Sequence, residues 1–319
     1  MRRITLILLA VSSLFLFLML KEIGWNQFGF YLRQVGYKWP LILIPYGFIN
    51  FLGAISWKIL LLNRETCPSI TRLFFLRLAG ESLNQLTPTA SLGGEPFKAF
   101  RLHAGGVKWQ EATASVVIQK GMMVLSLVLY IIMSLALVPF VLLGAMPHMG
   151  LLSLGAIVLA GAGVAFVVVQ RSHPCVSVIS HMKKFSLCPS ILSSKEAELA
   201  TLDFYLSEFY RKHTDRCIAV FVLLVLSWGL HAAEAYIIFG LLGHPIHWGT
   251  AVCLDGLAML FTGLGFIIPV SLGVQDGGNI LLSLGLKLGA PLGAAFSIVR
   301  RLREAFWLLL GLLVVARGK

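Results

Sequence analysis

Only 14 of the 319 residues are acidic, and seven of those lie in or beside apolar stretches: Glu81, Glu95, Glu111, Glu234, Asp255, Asp276 and Glu304. An ionised carboxylate at the centre of a bilayer is unfavourable by about 3 kcal/mol even on the mildest scale, so such groups face a partner or a wet cavity. Bases enter the same stretches at Lys98, Arg101, Lys120, Arg300, Arg301 and Arg303. The chemistry this composition permits is the holding of charge. Bases would grip a phosphate or other anionic group, and acids would orient the bases or carry protons. For any one acid, an ion pair that merely ties two helices together explains it equally well.

Spacing separates some of these residues from the rest. Pro88 and Pro269, Glu95 and Asp276, and Lys120 and Arg301 are each 181 residues apart. Ser-Leu-Gly at 91–93 recurs at 271–273, one residue out of step. Three matches in one order point to a duplicated unit, with one copy at about 70–143 and the other at about 255–316. Four apolar runs between the copies predict a parallel repeat. It becomes inverted if one of the odd segments crosses the membrane.

Within the first copy, Ser-Leu-Gly-Gly-Glu-Pro-Phe-Lys-Ala-Phe-Arg (91–101) reads as the start of a helix. Gly93 and Gly94 allow close backbone approach or a positive φ, Pro96 suits a first turn, and Glu95 is expected at the cap. Free N–H groups and the positive end of the helix dipole favour phosphate there. Lys98 and Arg101, three apart, share a face that would hold a phosphodiester; the alternative is a capped helix with bases snorkelling to the interface. Lys120 and Arg301 are expected to pair with Glu95 and Asp276, whereas Arg300 and Arg303 are expected to snorkel. His231 and Glu234 read as a satisfied pair on one helix. No nucleophile–base constellation, nucleotide fingerprint or metal-ligand spacing is present, and the five cysteines form no framework. The sequence therefore predicts no metal, no cofactor and no enzyme.

The elements that position these residues are long and apolar. With 58% hydrophobic and 13% charged residues, the chain lies far from the roughly 25% charged composition of a soluble domain. A soluble enzyme, a disordered tail and a disulfide-stapled domain are excluded, and the long apolar runs count against an outer-membrane barrel. The net charge of +12 is spread among loops and helix ends, which suits anionic lipid and counts against nucleic acid. Apolar runs fall at roughly 4–20, 39–62, 114–143, 151–169, 217–241, 248–268 and 294–316, the first an uncleaved span. Segments 70–111 and 269–293 mix apolar residues with Gly, Pro and charge, and read as re-entrant broken helices. The result is an all-α polytopic membrane protein of seven to eight transmembrane helices, a single membrane domain over 1–319. The basic loop 170–216 carries Leu199, Leu202, Leu206 and Phe209 at helical spacing, which predicts an amphipathic helix on the membrane surface. By the positive-inside rule this loop and the amino terminus face the cytoplasm, and connectors 144–150 and 242–247 face out. Segment 21–38, with Lys21, Arg33 and Lys38, sits against that rule.

Residues 80–102, Gly-Glu-Ser-Leu-Asn-Gln-Leu-Thr-Pro through Gly-Gly-Glu, with Ser115-Val116-Val117 to Lys120, resemble the first signature of the flippase-like family. That family is named for the transmembrane region of lysylphosphatidylglycerol synthase. Its usual pattern is G-E-x-x-N-x-x-x-P, then G-G-[ED], then S-V-V-x-x-[RK]. Residues 268–282 and 298–307 resemble its second signature, P-x-x-x-G-x-x-E-G followed by a base, with Asp276 in place of Glu. The resemblance marks Glu81, the Asn84–Gln85 pair, Pro88, Gly93, Gly94, Pro269, Gly273 and Gly277 as motif positions. It implies substrate contacts at Glu95, Lys98, Arg101, Lys120, Asp276 and Arg301. It further implies translocation of a polar or anionic lipid across a cell inner membrane, without the aminoacyltransferase domain of fused relatives. The alternatives are a membrane-embedded enzyme, or an accessory subunit partnered with a lipid-biosynthesis enzyme.

Overall fold

A computed structural model describes residues 33–63, 65–87, 93–141, 196–264 and 273–317, with isolated positions at 30 and between 154 and 168. The expected first span, most of the run at 151–169 and of the loop 170–195, and both Pro88 and Pro269 lie outside the described residues. What is described is helical, with no strand among those residues. The helices are α1 (Pro40–Leu60), α2 (Ile70–Leu86), α3 (Gly94–His103), α4 (Trp109–Val141), α5 (Glu196–Lys212), α6 (Thr214–Leu241), α7 (Trp248–Leu264), α8 (Val274–Gly285) and α9 (Ala290–Arg317).

Three of these, α1, α4 and α6, are long and apolar enough to cross a membrane. A rise of 1.5 Å per residue makes even the 21-residue α1 about 31 Å long. The 28 residues of α9 give it comparable reach, but Arg300, Arg301, Arg303 and Glu304 interrupt its apolar face.

Named contacts fix the direction of each long helix. Arg216 Nη1 at the start of α6 donates to the Ile59 carbonyl near the end of α1 (2.8 Å). At the opposite end, Gln34 Nε2 donates to the Leu242 carbonyl (2.7 Å). Thus α1 and α6 run antiparallel. Glu111 at the start of α4 accepts from Leu62 N (2.7 Å) just beyond α1, and Gln119 Nε2 reaches the Gly53 carbonyl (2.7 Å). Hence α4 also opposes α1. Phe296 stacks on Phe239 (5.2 Å) and Arg303 Nε donates to Glu234 (2.9 Å), so α9 opposes α6 and runs with α1.

Two helix pairs turn back inside the bundle. Gly80 of α2 lies against the Lys98 stem of α3, and a Cβ on Gly94 would overlap the Gly80 carbonyl. This crossing requires glycine. α2 and α3 therefore form a hairpin whose ends both lie beside the end of α1. The second pair, α7 and α8, meets where Gly278 abuts the Phe261 ring, and it enters from the other end of the bundle. Its limb α7 opposes α4, with Gly249 at Val141 and Ser134 Oγ donating to the Val252 carbonyl (3.1 Å). Of the run at 248–268, expected as a separate span, the described part is α7, which packs against α4 and α8.

The 181-residue spacing reappears in helix limits. α1 ends at Leu60 and α6 at Leu241, while α4 begins at Trp109 and α9 at Ala290. In both pairs the helices run in opposite directions, which fits the inverted one of the two arrangements that the sequence leaves open.

The basic-loop helix α5 turns its apolar stripe onto the bundle. Leu206, Phe209 and Tyr210 are buried against Leu60, Ile118, Met122 and Val220. Its apolar stripe covers α4 and α6, because burying that face in protein satisfies it as fully as lipid does.

Candidate functional site

Two charged clusters sit inside the bundle, one built on each hairpin. The first begins with α2, whose N-terminus is capped by Ser69 Oγ accepting from Arg72 N (3.3 Å). Helical spacing places Arg77, Glu81 and Asn84 along one side of α2; Glu81 and Asn84 meet α3, while the Arg77 guanidinium lies against Gly53 of α1. Lys98 of α3 is the hub. Its Nζ lies 3.0 Å from Glu81 Oε1 and 3.0 Å from Glu95 Oε2, with the side chain 3% exposed. Asn84 Nδ2 donates to Glu95 Oε1 (3.0 Å), and its Oδ1 accepts from Gly94 N (2.7 Å). Lys120 of α4 completes the group at 3.6 Å from Glu95 Oε1, its side chain 20% exposed.

The capping residue is therefore not Glu95. Gly93 holds the cap position of α3, Glu95 is the second helical residue, and Asn84 satisfies the first N–H from a neighbouring helix. Glu95 is thereby released to bind both lysines. Of the adjacent amides, Asn84 enters the cluster, and half-buried Gln85 on the next face makes no described contact with it. Arg101 is also separated from Lys98. It lies one turn further along α3, in a cavity with Arg72 and Arg317. The face expected to grip one phosphodiester with both bases is split.

The second cluster is larger and drier. Arg301 grips Asp276 with a two-pronged contact, Nε to Oδ1 at 3.0 Å and Nη2 to Oδ2 at 2.9 Å, and binds Glu304 through Nη1 at 2.6 Å. Asp276 also accepts from Gly273 N (3.2 Å), closing the first turn of α8, and Gly273 adopts φ +73° as glycine readily does. Gly277 has open space around it. Arg300 and Arg303 do not snorkel. Each side chain is 3–4% exposed, with Arg300 Nη2 on Asp255 (2.7 Å) and Arg303 Nε on Glu234 (2.9 Å). An arginine that faces the protein at this depth needs a carboxylate, and α6 and α7 supply one each. Tyr130 Oη donates to Asp255 (3.1 Å), and the Arg303 guanidinium lies over the Tyr46 ring (4.2 Å).

His231 and Glu234, expected as partners, go separate ways. Glu234 binds Arg303, while His231 stacks on Trp228 (4.9 Å). Glu111 closes the end of α1 by accepting from Leu62 N and Asn63 N. Reading the sequence undervalued Arg300, Arg303 and Arg77; the available signal was that Asp255 and Glu234 stand alone in apolar helices and must find bases.

The clusters flank the middle of α1. Gly53 is beside Gln119, next to Lys120, and Tyr46 is beside Arg303. Seven residues on α1 separate them, about 10 Å along the axis. Ser82 Oγ donates to the Leu308 carbonyl (3.2 Å) and Gly311 abuts Ser82 and Leu78, so α2 and α9 join the two clusters directly. Among the described residues, no group of three His, Cys, Asp or Glu side chains could hold a metal ion.

A helical bundle with paired hairpins and interior salt-bridge networks defines a multi-pass membrane protein with a charged interior site. The family model for the lysylphosphatidylglycerol synthase TM region matches residues 5–311, and the chain belongs to that family. The match covers the membrane module alone. Searches of curated proteins and of solved structures gave no match.

Proposed function

We propose that this chain translocates a polar or anionic lipid between the leaflets of a cell inner membrane, using the Lys98–Glu95–Lys120 cluster to pass the head group. The observation that carries this reading is the geometry of that cluster. Lys98 is locked between two carboxylates, whereas Lys120 is more exposed and holds Glu95 at the longest distance of the set. A hydrogen bond to a charged partner is worth about 1.5–3 kcal/mol, so Lys98 is the anchor and Lys120 the base that exchanges. An arriving phosphodiester takes Lys120 first. Glu95 keeps Lys98 and Asn84, and no buried charge is left bare. Acyl tails remain in the bilayer while the head group passes between the hairpin tips.

Topology supports the same reading. In this reading the two halves are an inverted repeat whose hairpins re-enter from opposite leaflets, an arrangement that suits alternating access around one central site. Lys58, Arg72, Arg101, Lys108, Arg211, Lys212, Arg216 and Arg317 gather at the end of the bundle where α1 finishes, against Arg33, Lys38 and Lys287 at the other. The basic end faces the cytoplasm by the positive-inside rule. Arg33 and Lys38 remain on the outer side.

The test is lipid exposure in proteoliposomes. Purified protein is reconstituted with labelled phosphatidylglycerol or phosphatidylcholine, and the fraction reached by a membrane-impermeant quencher is followed, with and without a pH gradient. Faster exposure with wild type, lost in Glu95→Gln at unchanged thermal stability, supports translocation through the cluster. Equal rates for wild type, variant and empty vesicles reject it.

A further inference from the structure

Arg77 on α2 is 5% exposed, its Nε is fully enclosed, and it makes no hydrogen bond or ion pair with any described residue. Glu81, one turn further along α2, turns instead to Lys98, and Glu304 on α9 turns to Arg301. A guanidinium keeps its charge and carries five donors, so burying it without an acceptor is strongly unfavourable. Gly53 of α1 makes the room for it, since a Cβ there would overlap the Arg77 side chain. Two more buried atoms have no partner, Trp307 Nε1 of α9 and His231 Nδ1 of α6. The Trp307 ring packs on Tyr46 (5.8 Å) and against Gly47, and the His231 ring meets Tyr46 from α6 (6.2 Å). Three helices thus turn unanswered polar groups to the stretch of α1 between Tyr46 and Gly53, which is the stretch that separates the two clusters. An indole nitrogen can only donate, as can a guanidinium, and donors gathered without an acceptor call for an anion.

Charge and surroundings decide what kind of anion fits. One unpaired guanidinium matches one negative charge. A phosphodiester carries one, whereas a phosphomonoester carries about 1.5–2 at neutral pH. The rings beside the site also lead outward: Trp307 packs on Phe306 (5.6 Å), which is 41% exposed on the apolar surface of α9. A free anion brings nothing to cover such a ring, while an acyl chain gains from burying it. We infer that the Tyr46–Gly53 stretch of α1 borders a binding site for the phosphodiester of a glycerophospholipid, with Arg77 as its charge and Trp307 Nε1 as a hydrogen-bond donor. The inference rests on the translocation reading and deepens it. Gly53 also lies beside Gln119, next to Lys120, so a head group released by Lys120 meets Arg77 next, midway between the two clusters.

The experiment reads binding and stability but not transport, so its failure and that of translocation remain distinct. Dioctanoyl phosphatidylglycerol is titrated onto purified full-length protein in neutral detergent micelles, beside inorganic phosphate. Saturable binding of the lipid is expected, weakened roughly tenfold by Arg77→Met and less by Arg77→Lys. Trp307→Phe, which keeps the ring and loses the donor, should weaken it by roughly threefold. Ligand-free melting separates a binding role from a structural one. Arg77→Met replaces an unpaired buried charge with an apolar side chain of similar length, so without lipid it should melt at or above the wild-type temperature. An Arg77→Met protein that melts below wild type without lipid, or that binds the lipid as tightly, overturns the site, as does the lack of saturable binding by wild type. Unchanged affinity in Trp307→Phe removes that residue from it. Binding of inorganic phosphate as tight as that of the lipid overturns the lipid assignment.

Discussion

The two interior clusters occupy corresponding places on their hairpins, yet they are built from different bases. On the α2–α3 hairpin, each lysine meets its carboxylates through one ammonium nitrogen, Lys98 reaching Glu81 and both oxygens of Glu95, and both Lys120 and the carboxylates are partly open. On the α7–α8 hairpin and α9, arginines take the same role, and Asp276 is held by two parallel bonds. Lysine presents a compact, strongly hydrated charge that changes partner easily, while the arginine fork fixes geometry. Charge differs as well. Arg77, Lys98 and Lys120 outnumber Glu81 and Glu95 in the first cluster, whereas Glu234, Asp255, Asp276 and Glu304 outnumber three arginines in the second. The lesson is a division of labour. In the proposed function the lysine half exchanges a visiting anion, and the arginine half holds the bundle in register.

That division breaks down if the two halves respond alike to mutation. The largest effect is expected for Asp255→Ala, which strands Arg300 in a dry site and should cost about 3–5 kcal/mol of stability. Its melting temperature in detergent, compared with that of Glu95→Gln, checks this; an equal loss for both would erase the contrast. Gly94→Ala comes next, because its Cβ must displace the Gly80 carbonyl, at a cost of about 1–3 kcal/mol. Accessibility of single cysteines placed on α2 and α3 would register the opened hairpin. Arg301→Lys keeps the charge but loses the fork, and should lower stability by about 1–2 kcal/mol. Chemical denaturation reads that difference against Lys120→Arg, expected to be near neutral. The smallest stability change, under about 1 kcal/mol, is expected for Lys120→Met. In the same variant lipid exposure should slow by roughly tenfold, as one charge-assisted contact to the phosphate disappears. Slow transport with intact folding sharpens the comparison; normal transport removes Lys120 from the exchanging role.

Much of this was legible in the sequence. Apolar runs place α1, α4 and α6 because a bilayer demands some 20 consecutive apolar residues, and no tertiary contact can alter that requirement. The pairs Glu95–Lys120 and Asp276–Arg301 were expected from their matched spacing, since a buried charge must find a partner within reach. Other features belong to the tertiary structure alone. Asn84, rather than Glu95, caps α3, because the cap depends on how close α2 approaches at Gly80. Arg300 and Arg303 turn inward because Asp255 and Glu234, from helices distant in sequence, are there to meet them. Arg101 parts from Lys98 because Lys98 turns to Glu81 on α2 and to Glu95. The sequence by itself determined which residues are charged, which segments are apolar and where they recur. Only the packing of helices decided direction, depth and partner, because those depend on side chains from distant parts of the chain meeting in a medium that leaves no charge unaccompanied.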